Sequence, residues 1–533
     1  GNLSTSLANY NSFAIGTIPM PSGKWYWEAQ RNDSGTQVVL GIADPRITYG
    51  TDPWSSAYIW AMKDDNNGDL RHNNTNYGSG AGWNGTVYSN AYDVVSVAYD
   101  ADNAALYFAV NGTWVNGTHS SASVPTSGSS KTGAFTTNLV SGNAYIPFFG
   151  SQVNATRGWD VNFGQKGFTY TPPTGFKALN TANFPTPTVT KPSDYFKAIT
   201  YEGNGSTLAK TGVGFRPDFV WIKCRDVATN WNVYDVVRGD DAMLRMASNP
   251  TNTEQTGSNH EFDSFGDDGF TVTHSGAIEE VNRSGADYVA YCMKAGGSPS
   301  DNNTGSVTSS VSAADHGGFS VGTFTAGANG AITVGHGLTR AIGMLILKDR
   351  ESSVGYFVWS DQLTNTAHYL RLENVSGTYT DGGTNVWNGV NPGASSPSTG
   401  VFSTKDNGDW LTNGNSHVFY AFARTPGLIA MGSFEGASAA DGSHRIVDDG
   451  AAGFKPAFFM FKKIDANGDW YTFDSARNTY NPVNNLVSIN QTKNESTMAS
   501  DSSSGTVDFT ANGVKFRSTN SSDFQGSNTF IYL

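Results

Sequence analysis

The feature that most constrains the fold of this chain is a pattern that occurs three times in its C-terminal two-thirds. Each copy has an apolar run that ends in lysine and a closing aromatic run that contains tyrosine. The matched pairs lie about 120 residues apart, which is the size of one β-sandwich domain and not of one solenoid repeat. The repeat predicts three related β-modules, with these matched lysines and tyrosines: Lys223 and Tyr291, Lys348 and Tyr420, and Lys462 and Tyr532. We place the modules at residues 195–297, 298–426 and 427–533.

Copies one and three share a second pattern, which runs from Trp231 to Arg238 and from Trp470 to Arg477. Trp, Asp and Arg occupy equivalent positions in both runs. Copy two instead has Ser360 and Leu363 at the positions of the Asp and Arg. We interpret the Asp–Arg pair as a structural contact that closes a strand or turn. A ligand-binding role is the alternative.

Composition and patterning predict an all-β protein. Only 15% of the residues are charged, and glycine accounts for 61 of 533, whereas ordinary globular domains have about 25% charged residues. Residues 1–168 contain short aromatic and β-branched runs between Asn, Asp and Gly clusters, and no helical periodicity exceeds two turns. We therefore expect tandem antiparallel β-sandwiches, one in residues 1–168 and one in each repeat.

The charge balance limits the classes of partner. The formal net charge is −13 and no Lys/Arg run is present, so we expect no nucleic-acid partner. No apolar stretch reaches the length of a membrane span, so we expect no membrane insertion. The low charge and the abundance of Ser, Thr, Asn and Gly are typical of extracellular or virion β-proteins. The first residues, which lack a Met, suggest that the numbering begins inside a longer chain.

The first 168 residues resemble a SPRY domain. The landmarks occur in the family's order: 23–28 (GKWYWE), 40–43 (LGIA), 99–112 (YDADNAALYFAVNG), 145–149 (YIPFF) and 161–164 (VNFG). The resemblance implies a bent, lectin-like sandwich of two antiparallel sheets that binds partners through loops at one end. The departure is at the start, since 22 residues scarcely accommodate the first strands of such a domain.

Residues 169–194 are rich in Pro and Thr and predict a stiff linker. The order of a SPRY-like domain, this linker and the repeated modules resembles tail or fibre proteins of tailed bacteriophages. That resemblance implies a virion protein that attaches to a host-surface glycan or protein and contacts other virion proteins. The alternatives are a structural spacer or capsid or tail decoration, and a bacterial surface adhesin. Phage fibres are often homotrimers, but the sequence does not specify the oligomeric state, host or ligand.

The sequence carries no catalytic motif. It has no Gly-x-Ser-x-Gly elbow, phosphate loop or His-Glu-x-x-His. Glycan depolymerisation, the remaining enzymatic alternative, needs two carboxylates about 5 to 10 Å apart. The adjacent pairs 267–268 (Asp-Asp) and 279–280 (Glu-Glu) lie in predicted loops of a single copy. We therefore expect a protein that is not an enzyme.

Aromatic residues in Gly- and Asn-rich loops are the candidate ligand-binding residues, because sugars stack on rings and bind amides through their hydroxyls. Trp54 and Trp387 have this context, whereas Tyr77 and Trp83 are weaker candidates. Core packing is the alternative role for each of them.

Two acidic turns resemble calcium loops, although neither has the downstream Glu of an EF-hand. The candidate ligands are Asp64, Asn66 and Asp69 in the first turn and Asp465, Asn467 and Asp469 in the second. Hydrogen-bonded turns use the same residue types and are the alternative, so we expect no obligatory cofactor. The two cysteines, Cys224 and Cys292, both fall in copy one. They could form a disulfide if their strands are neighbours, and buried free thiols are the alternative.

Overall fold

In the computed structural model the chain forms two compact units, and all residues are described except those in a set of short gaps. One unit comprises residues 1–186 with 450–453, and the other comprises residues 187–449 with 454–533. The described residues are 1–533 apart from 1–2, 36, 46, 48–51, 54, 64–68, 78–90, 116–124, 126–127, 136–137, 141–143, 185–186, 247–252, 258–260, 275–280, 328–329, 364–366, 381–385, 388–399, 406–410, 437–443, 447–448, 450–452, 496–504 and 518–527.

The all-β class is confirmed. Within the described ranges the chain forms antiparallel sheets, with one parallel pairing between strands, one isolated parallel bridge and two short 3-10 helices, Thr181–Asn183 and Pro192–Asp194. No helix in this part of the chain has the length and apolar character needed to cross a membrane.

The first unit is a sandwich of two antiparallel sheets, which is the architecture that the SPRY resemblance implies. One sheet has the order β1-β12-β3-β8-β9-β10, with β13 beside β3, and the other has the order β2-β11-β4-β5-β6-β7. The strands are β1 (Leu3–Ser4), β2 (Phe13–Ile15), β3 (Lys24–Arg31), β4 (Val38–Ala43), β5 (Ile59–Lys63), β6 (Asp69–His72), β7 (Thr75–Asn76), β8 (Val94–Asp100), β9 (Ala105–Val110), β10 (Thr113–Val115), β11 (Ile146–Ser151), β12 (Trp159–Asn162) and β13 (Lys177–Ala178).

Two expectations for this unit need correction. The 22 residues ahead of the SPRY landmarks supply two short strands, β1 and β2, which pair with β12 and β11. The segment that follows residue 168 is not a free linker, because β13 pairs in parallel with β3 and the Tyr170 amide donates to the Glu28 carboxylate at 2.8 Å. Buried Phe176 anchors the same segment in a small aromatic core. Residues 169–178 therefore belong to the sandwich.

The second unit contains one large and one small sheet in each repeat. In copy one the strands are β14 (Phe196–Glu202), β15 (Leu208–Lys210), β16 (Phe219–Cys224), β17 (Trp231–Asp235), β18 (Gly239–Met246), β19 (Gln255–Thr256), β20 (Phe262–Gly266), β21 (Gly269–Val272) and β22 (Asp287–Met293). In copy two they are β23 (Ser300–Asn302), β24 (Ser309–Ala313), β25 (Phe319–Thr325), β26 (Ala331–Gly335), β27 (Met344–Asp349), β28 (Phe357–Ser360), β29 (His368–Arg371), β30 (Tyr379–Thr380), β31 (Val401–Lys405) and β32 (Ser416–Phe422). In copy three they are β33 (Gly432–Glu435), β34 (His444–Ile446), β35 (Phe458–Lys463), β36 (Trp470–Asp474), β37 (Val487–Ser488), β38 (Val507–Thr510), β39 (Gly513–Phe516) and β40 (Thr529–Tyr532).

The lysine-ending run of each copy forms a central strand of its large sheet. In copy one β16 lies between β22 and β17, and β27 and β35 occupy the same position in the other copies. A continuous apolar run suits this position because both faces of such a strand are covered. The prediction that the last residues of the sequence form a closing strand is also confirmed, since β40 pairs with β33 and β35.

The three copies are not independent sandwiches in a row, because they share one hydrophobic core. Its buried members come from every large sheet and include Trp221, Tyr291, Ile346, Tyr420, Met460 and Ile531. Each copy also has residues between its large and small sheets, such as Phe270 in copy one, Phe402 in copy two and Phe516 in copy three. The large sheets therefore have one face on their own small sheet and the other on the common core.

Equivalent hydrogen bonds join the copies in a closed cycle. Trp231 Nε1 of copy one donates to the Ser488 carbonyl of copy three at 2.8 Å. Trp470 Nε1 of copy three donates to the Arg371 carbonyl of copy two at 2.9 Å. The Tyr356 hydroxyl of copy two donates to the Arg245 carbonyl of copy one at 3.3 Å. Head-to-tail contacts that return to their starting point form a ring, so we call residues 187–449 and 454–533 the three-copy ring.

Candidate functional site

The loop aromatics predicted as ligand-binding residues do not form a site in the described residues. Trp387 is fully buried in the core of copy two, where its Nε1 donates to the His368 carbonyl at 3.1 Å. A ring in that position cannot stack on a sugar, so the assignment of Trp387 as a ligand-binding residue is wrong. Tyr77 is half-buried, and the centre of its ring lies 5.6 Å from the centre of the Phe135 ring. This packing corresponds to the alternative role of Tyr77 as a core residue. Trp54 and Trp83 lie outside the described residues.

The second acidic turn is held by hydrogen bonds within the protein. The Asp469 carboxylate accepts from the side-chain amides of Asn490 and Gln491 at 2.6 and 2.9 Å. The Asp465 carboxylate accepts from the Thr529 backbone amide at 2.7 Å, and the Asn467 side chain is exposed. This arrangement is the hydrogen-bonded turn that the sequence left open. No group of three or more His, Cys, Asp or Glu residues in the described ranges could hold a metal ion.

The first acidic turn cannot be compared in the same way. Asp64 and Asn66 lie outside the described residues, as does the side chain of Asp69. The adjacent glutamates at 279–280 also lie outside them. Asp268 is described, and its carboxylate accepts from the Gly212 and Gly214 amides at 3.0 and 2.6 Å, which lowers its pKa. A carboxyl group with a lowered pKa is not suited to act as a general acid.

The two cysteines are buried free thiols, so the possible disulfide is wrong. Their strands are neighbours, but Cys292 lies opposite Val220 while Cys224 lies opposite Tyr288. That register separates the cysteines by four residues along the strand, or about 13 Å. A disulfide needs Cα atoms within about 7 Å.

Each repeated Asp–Arg pair lies within one copy and is buried where that copy contacts another. In copy three the Asp474 carboxylate accepts from the Ala476 and Arg477 amides at 3.0 and 2.8 Å and pairs with the Arg477 guanidinium. It also accepts from the hydroxyl of Tyr291 in copy one at 2.9 Å. In copy one, Asp235 binds Arg238 and accepts from Tyr420 of copy two at 3.0 Å. The structural interpretation of the pair is therefore the one that the geometry supports.

A second ion pair extends the Asp474 network across the same interface between copies one and three. Arg225 of copy one contacts Glu495 of copy three at 2.8 Å, and Glu495 lies 3.5 Å from Arg477. Burial would lower the pKa of Arg477, but the facing carboxylates of Asp474 and Glu495 raise it. The arginine therefore stays charged, and the network joins copies instead of presenting a reactive group.

Tyr480 is an exposed ring that the sequence analysis missed. Its side chain is 85% exposed, more than any other large hydrophobic residue in the described ranges. Four asparagines surround it in sequence, and all four make side-chain hydrogen bonds that fix the loop. Asn478 Oδ1 accepts from the Asn485 amide at 2.7 Å, and Asn481 Oδ1 accepts from the Phe509 amide at 2.9 Å. Asn485 Nδ2 donates to the Arg477 carbonyl at 3.2 Å. The signal in the sequence was a Tyr within an Asn- and Pro-rich run.

A cavity of about 530 Å³ lies inside the three-copy ring, and we call it the axial cavity. Residues from all three copies line it, including Trp221, Tyr291, Ile346, Tyr420, Phe458 and Leu533. Other lining residues are exposed, among them Ser193, Lys294, Lys455 and Ala457, and these form its mouth. The volume is in the range of cavities that bind small molecules.

The comparisons with known proteins provide a family but no activity. No curated protein matches the chain. Among solved structures, the SPRY domain of human HERC1 is similar over 31% of this chain and 100% of its own, with 11% identity and a TM-score of 0.23. The TRIM65 PSpry domain is similar over 28% of this chain and 69% of its own, with 14% identity and a TM-score of 0.19.

The sequence match to a family covers the three repeats together. The family model aligns with residues 191–533, so it spans β14 to β40 as one domain. Through these residues the chain belongs to the family described as a domain of unknown function, DUF7483.

Proposed function

We propose that this protein is a non-enzymatic adhesin of a tailed-phage virion, a tail or fibre component that binds a host-surface glycan through exposed loop residues. The observation that carries the proposal is the Tyr480 loop. A tyrosine that protrudes from a fixed loop offers contact area at a low cost in conformational entropy. The loop is ordered before binding, which removes part of the free-energy cost of association.

The chemistry around Tyr480 favours a glycan among host-surface ligands. A tyrosine face can stack on the C–H face of a sugar ring, and side-chain amides can bind sugar hydroxyls. Asn484 lies four residues after Tyr480 and is exposed, and its Oδ1 accepts from Asn478, so its Nδ2 is the candidate donor to a sugar hydroxyl. Weak contacts of this kind gain strength when many copies act together, as on a virion. A host-surface protein remains the other class of ligand for the same loop.

A structural spacer or decoration protein is the second candidate function. The observation that favours it is the common core of the three-copy ring, which holds three modules in one unit. The ring also supplies a threefold arrangement within one chain, so this part of the protein does not require a homotrimer for it. The adhesin proposal also includes a virion location, contacts with other virion proteins and a homo-oligomer.

The first test is binding of the labelled full chain to cells of candidate bacterial hosts, with and without periodate oxidation of their glycans. We expect binding that periodate abolishes. Replacement of Tyr480 by Ala should weaken it about tenfold or more, as expected for an exposed aromatic anchor. Tyr480→Trp keeps a ring at this position and should retain binding.

Tyr10→Ala is the matched control, because Tyr10 is another exposed tyrosine, in the first unit. It should leave binding unchanged. Binding that survives both periodate and Tyr480→Ala would contradict the glycan site. A wild-type chain that binds no host cell would favour the structural spacer.

A further inference from the structure

The axial cavity has a charge character opposite to that of the whole chain. The protein has 46 Asp and Glu residues against 33 Lys and Arg. Among the described residues that line the cavity none is Asp or Glu, whereas three are lysines, Lys197, Lys294 and Lys455. Lys294 and Lys455 are exposed at the mouth, and the Lys294 ammonium lies 5.6 Å from the centre of the Tyr195 ring. The mouth therefore favours an anionic group on a ligand.

The interior of the cavity offers apolar contacts. Tyr291 and Tyr420 line its walls, and their hydroxyls donate to Asp474 and Asp235 at 2.9 and 3.0 Å. Burial raises the pKa of both hydroxyls, so they stay protonated and bound to these carboxylates. Aromatic residues dominate the lining, together with aliphatic and thioether side chains such as Met246, Met293 and Ile346. Methionine adapts to irregular apolar shapes, which suits a flexible chain.

We propose that the axial cavity binds an amphiphile with one unbranched alkyl chain and an anionic head, the chemistry of a fatty carboxylate. The alkyl chain of the ligand lies among the aromatic rings of the three large sheets, and its anionic head lies at the mouth beside Lys294 and Lys455. This site is separate from Tyr480 and does not depend on the adhesin proposal.

Isothermal titration calorimetry of the full chain with dodecanoate, below its critical micelle concentration, tests the site. We expect one dodecanoate per chain. Ala457→Trp places a large ring at the exposed mouth and should abolish binding, because the ring obstructs entry of the ligand. The backbone bond in which the Ala457 carbonyl accepts from the Ser475 amide at 2.9 Å is unaffected by the substitution. Ala209→Trp is the control, since Ala209 is also exposed but does not line the cavity.

Titration with dodecyltrimethylammonium, which has the same chain and a cationic head, tests the role of charge. Lys294→Glu with Lys455→Glu should weaken dodecanoate binding about tenfold and strengthen binding of the cation. Lys166→Glu with Lys177→Glu changes the net charge equally at exposed lysines of the first unit and should have no effect. Absence of dodecanoate binding to the wild type, or wild-type affinity in Ala457→Trp, would overturn the site. Equal affinity of the wild type for the two amphiphiles would overturn its preference for an anion.

Discussion

At the scale of single residues, two buried histidines of copy two are set to remain neutral. His336 Nδ1 accepts from the Leu338 amide at 3.0 Å, and His316 Nδ1 accepts from the Gly318 amide at 3.0 Å. A protonated ring could not accept at Nδ1. Burial is the main cause that lowers the pKa of each histidine from 6.5 to about 4.

These histidines predict loss of stability in mild acid. Between pH 6.5 and about 4 the unfolded chain binds protons that the folded chain does not, so the free energy of unfolding falls as the pH falls through this range. In His336→Asn the Asn oxygen can accept from the Leu338 amide without a charge change. The variant should lose less of its unfolding free energy than the wild type when urea unfolding at pH 4.5 is compared with pH 7. His368→Asn, at a half-buried site in the same copy, is the control. An equal loss in His336→Asn and the wild type would refute the assignment.

At the scale of secondary-structure elements, the turns after β17, β28 and β36 are equivalent in the three copies, and a side chain caps a backbone amide in each of them. Asp235 and Asp474 each cap the amide two residues ahead and pair with an arginine. Ser360 caps the equivalent amide of Gln362 at 3.3 Å, and Leu363 takes the place of the arginine. The chain therefore contains both a charged and an uncharged version of the same turn.

The uncharged turn of copy two can be introduced into copy three by replacing Asp474 with Ser and Arg477 with Leu. Asp474→Ser alone, or Arg477→Leu alone, removes the nearest opposite charge from a buried charged group and should lower the free energy of unfolding by about 3 to 5 kcal/mol. The double variant removes both charges, while Glu495 keeps Arg225 as its partner. Its loss should be smaller than the sum of the two single losses, and urea unfolding of all four proteins measures this coupling. Strict additivity would show that the two side chains are not coupled.

The elements were the part of the structure most open to prediction from sequence. Continuous apolar runs identified the central strands, and repetition identified β40 as a closing strand. The Asp–Arg pair was interpreted correctly as structural, but its partner in another copy, Tyr291 for Asp474, was not foreseen. Trp387 was misassigned because a Gly- and Asn-rich context describes the loop around a tryptophan and not the direction of its side chain.

At the scale of the whole molecule, the ring arrangement could not be predicted from the repeat. A strand whose two faces are both apolar, such as β35, fits a separate sandwich as well as a ring, since the sequence does not say what covers each face. In β40, Phe530 and Tyr532 face the small sheet of copy three, whereas Ile531 faces the core common to all copies. The family model supports this grouping, because it matches the three repeats as one domain.

The common core predicts that the three-copy ring unfolds as one cooperative unit. Ile531→Ala removes a buried side chain from that core and should cost about 2 to 5 kcal/mol. Because copies one and two bury Trp221 and Ile346 in the same core, the loss should spread to them. Amide hydrogen exchange measures this loss of unfolding free energy in each strand, since slowly exchanging core amides report global unfolding. We expect protection in β16 and β27 to fall by the same factor as in β35. A loss of protection confined to copy three would mean that the modules unfold separately. If the core is common, weakening the part from copy three must also lower the stability of copies one and two.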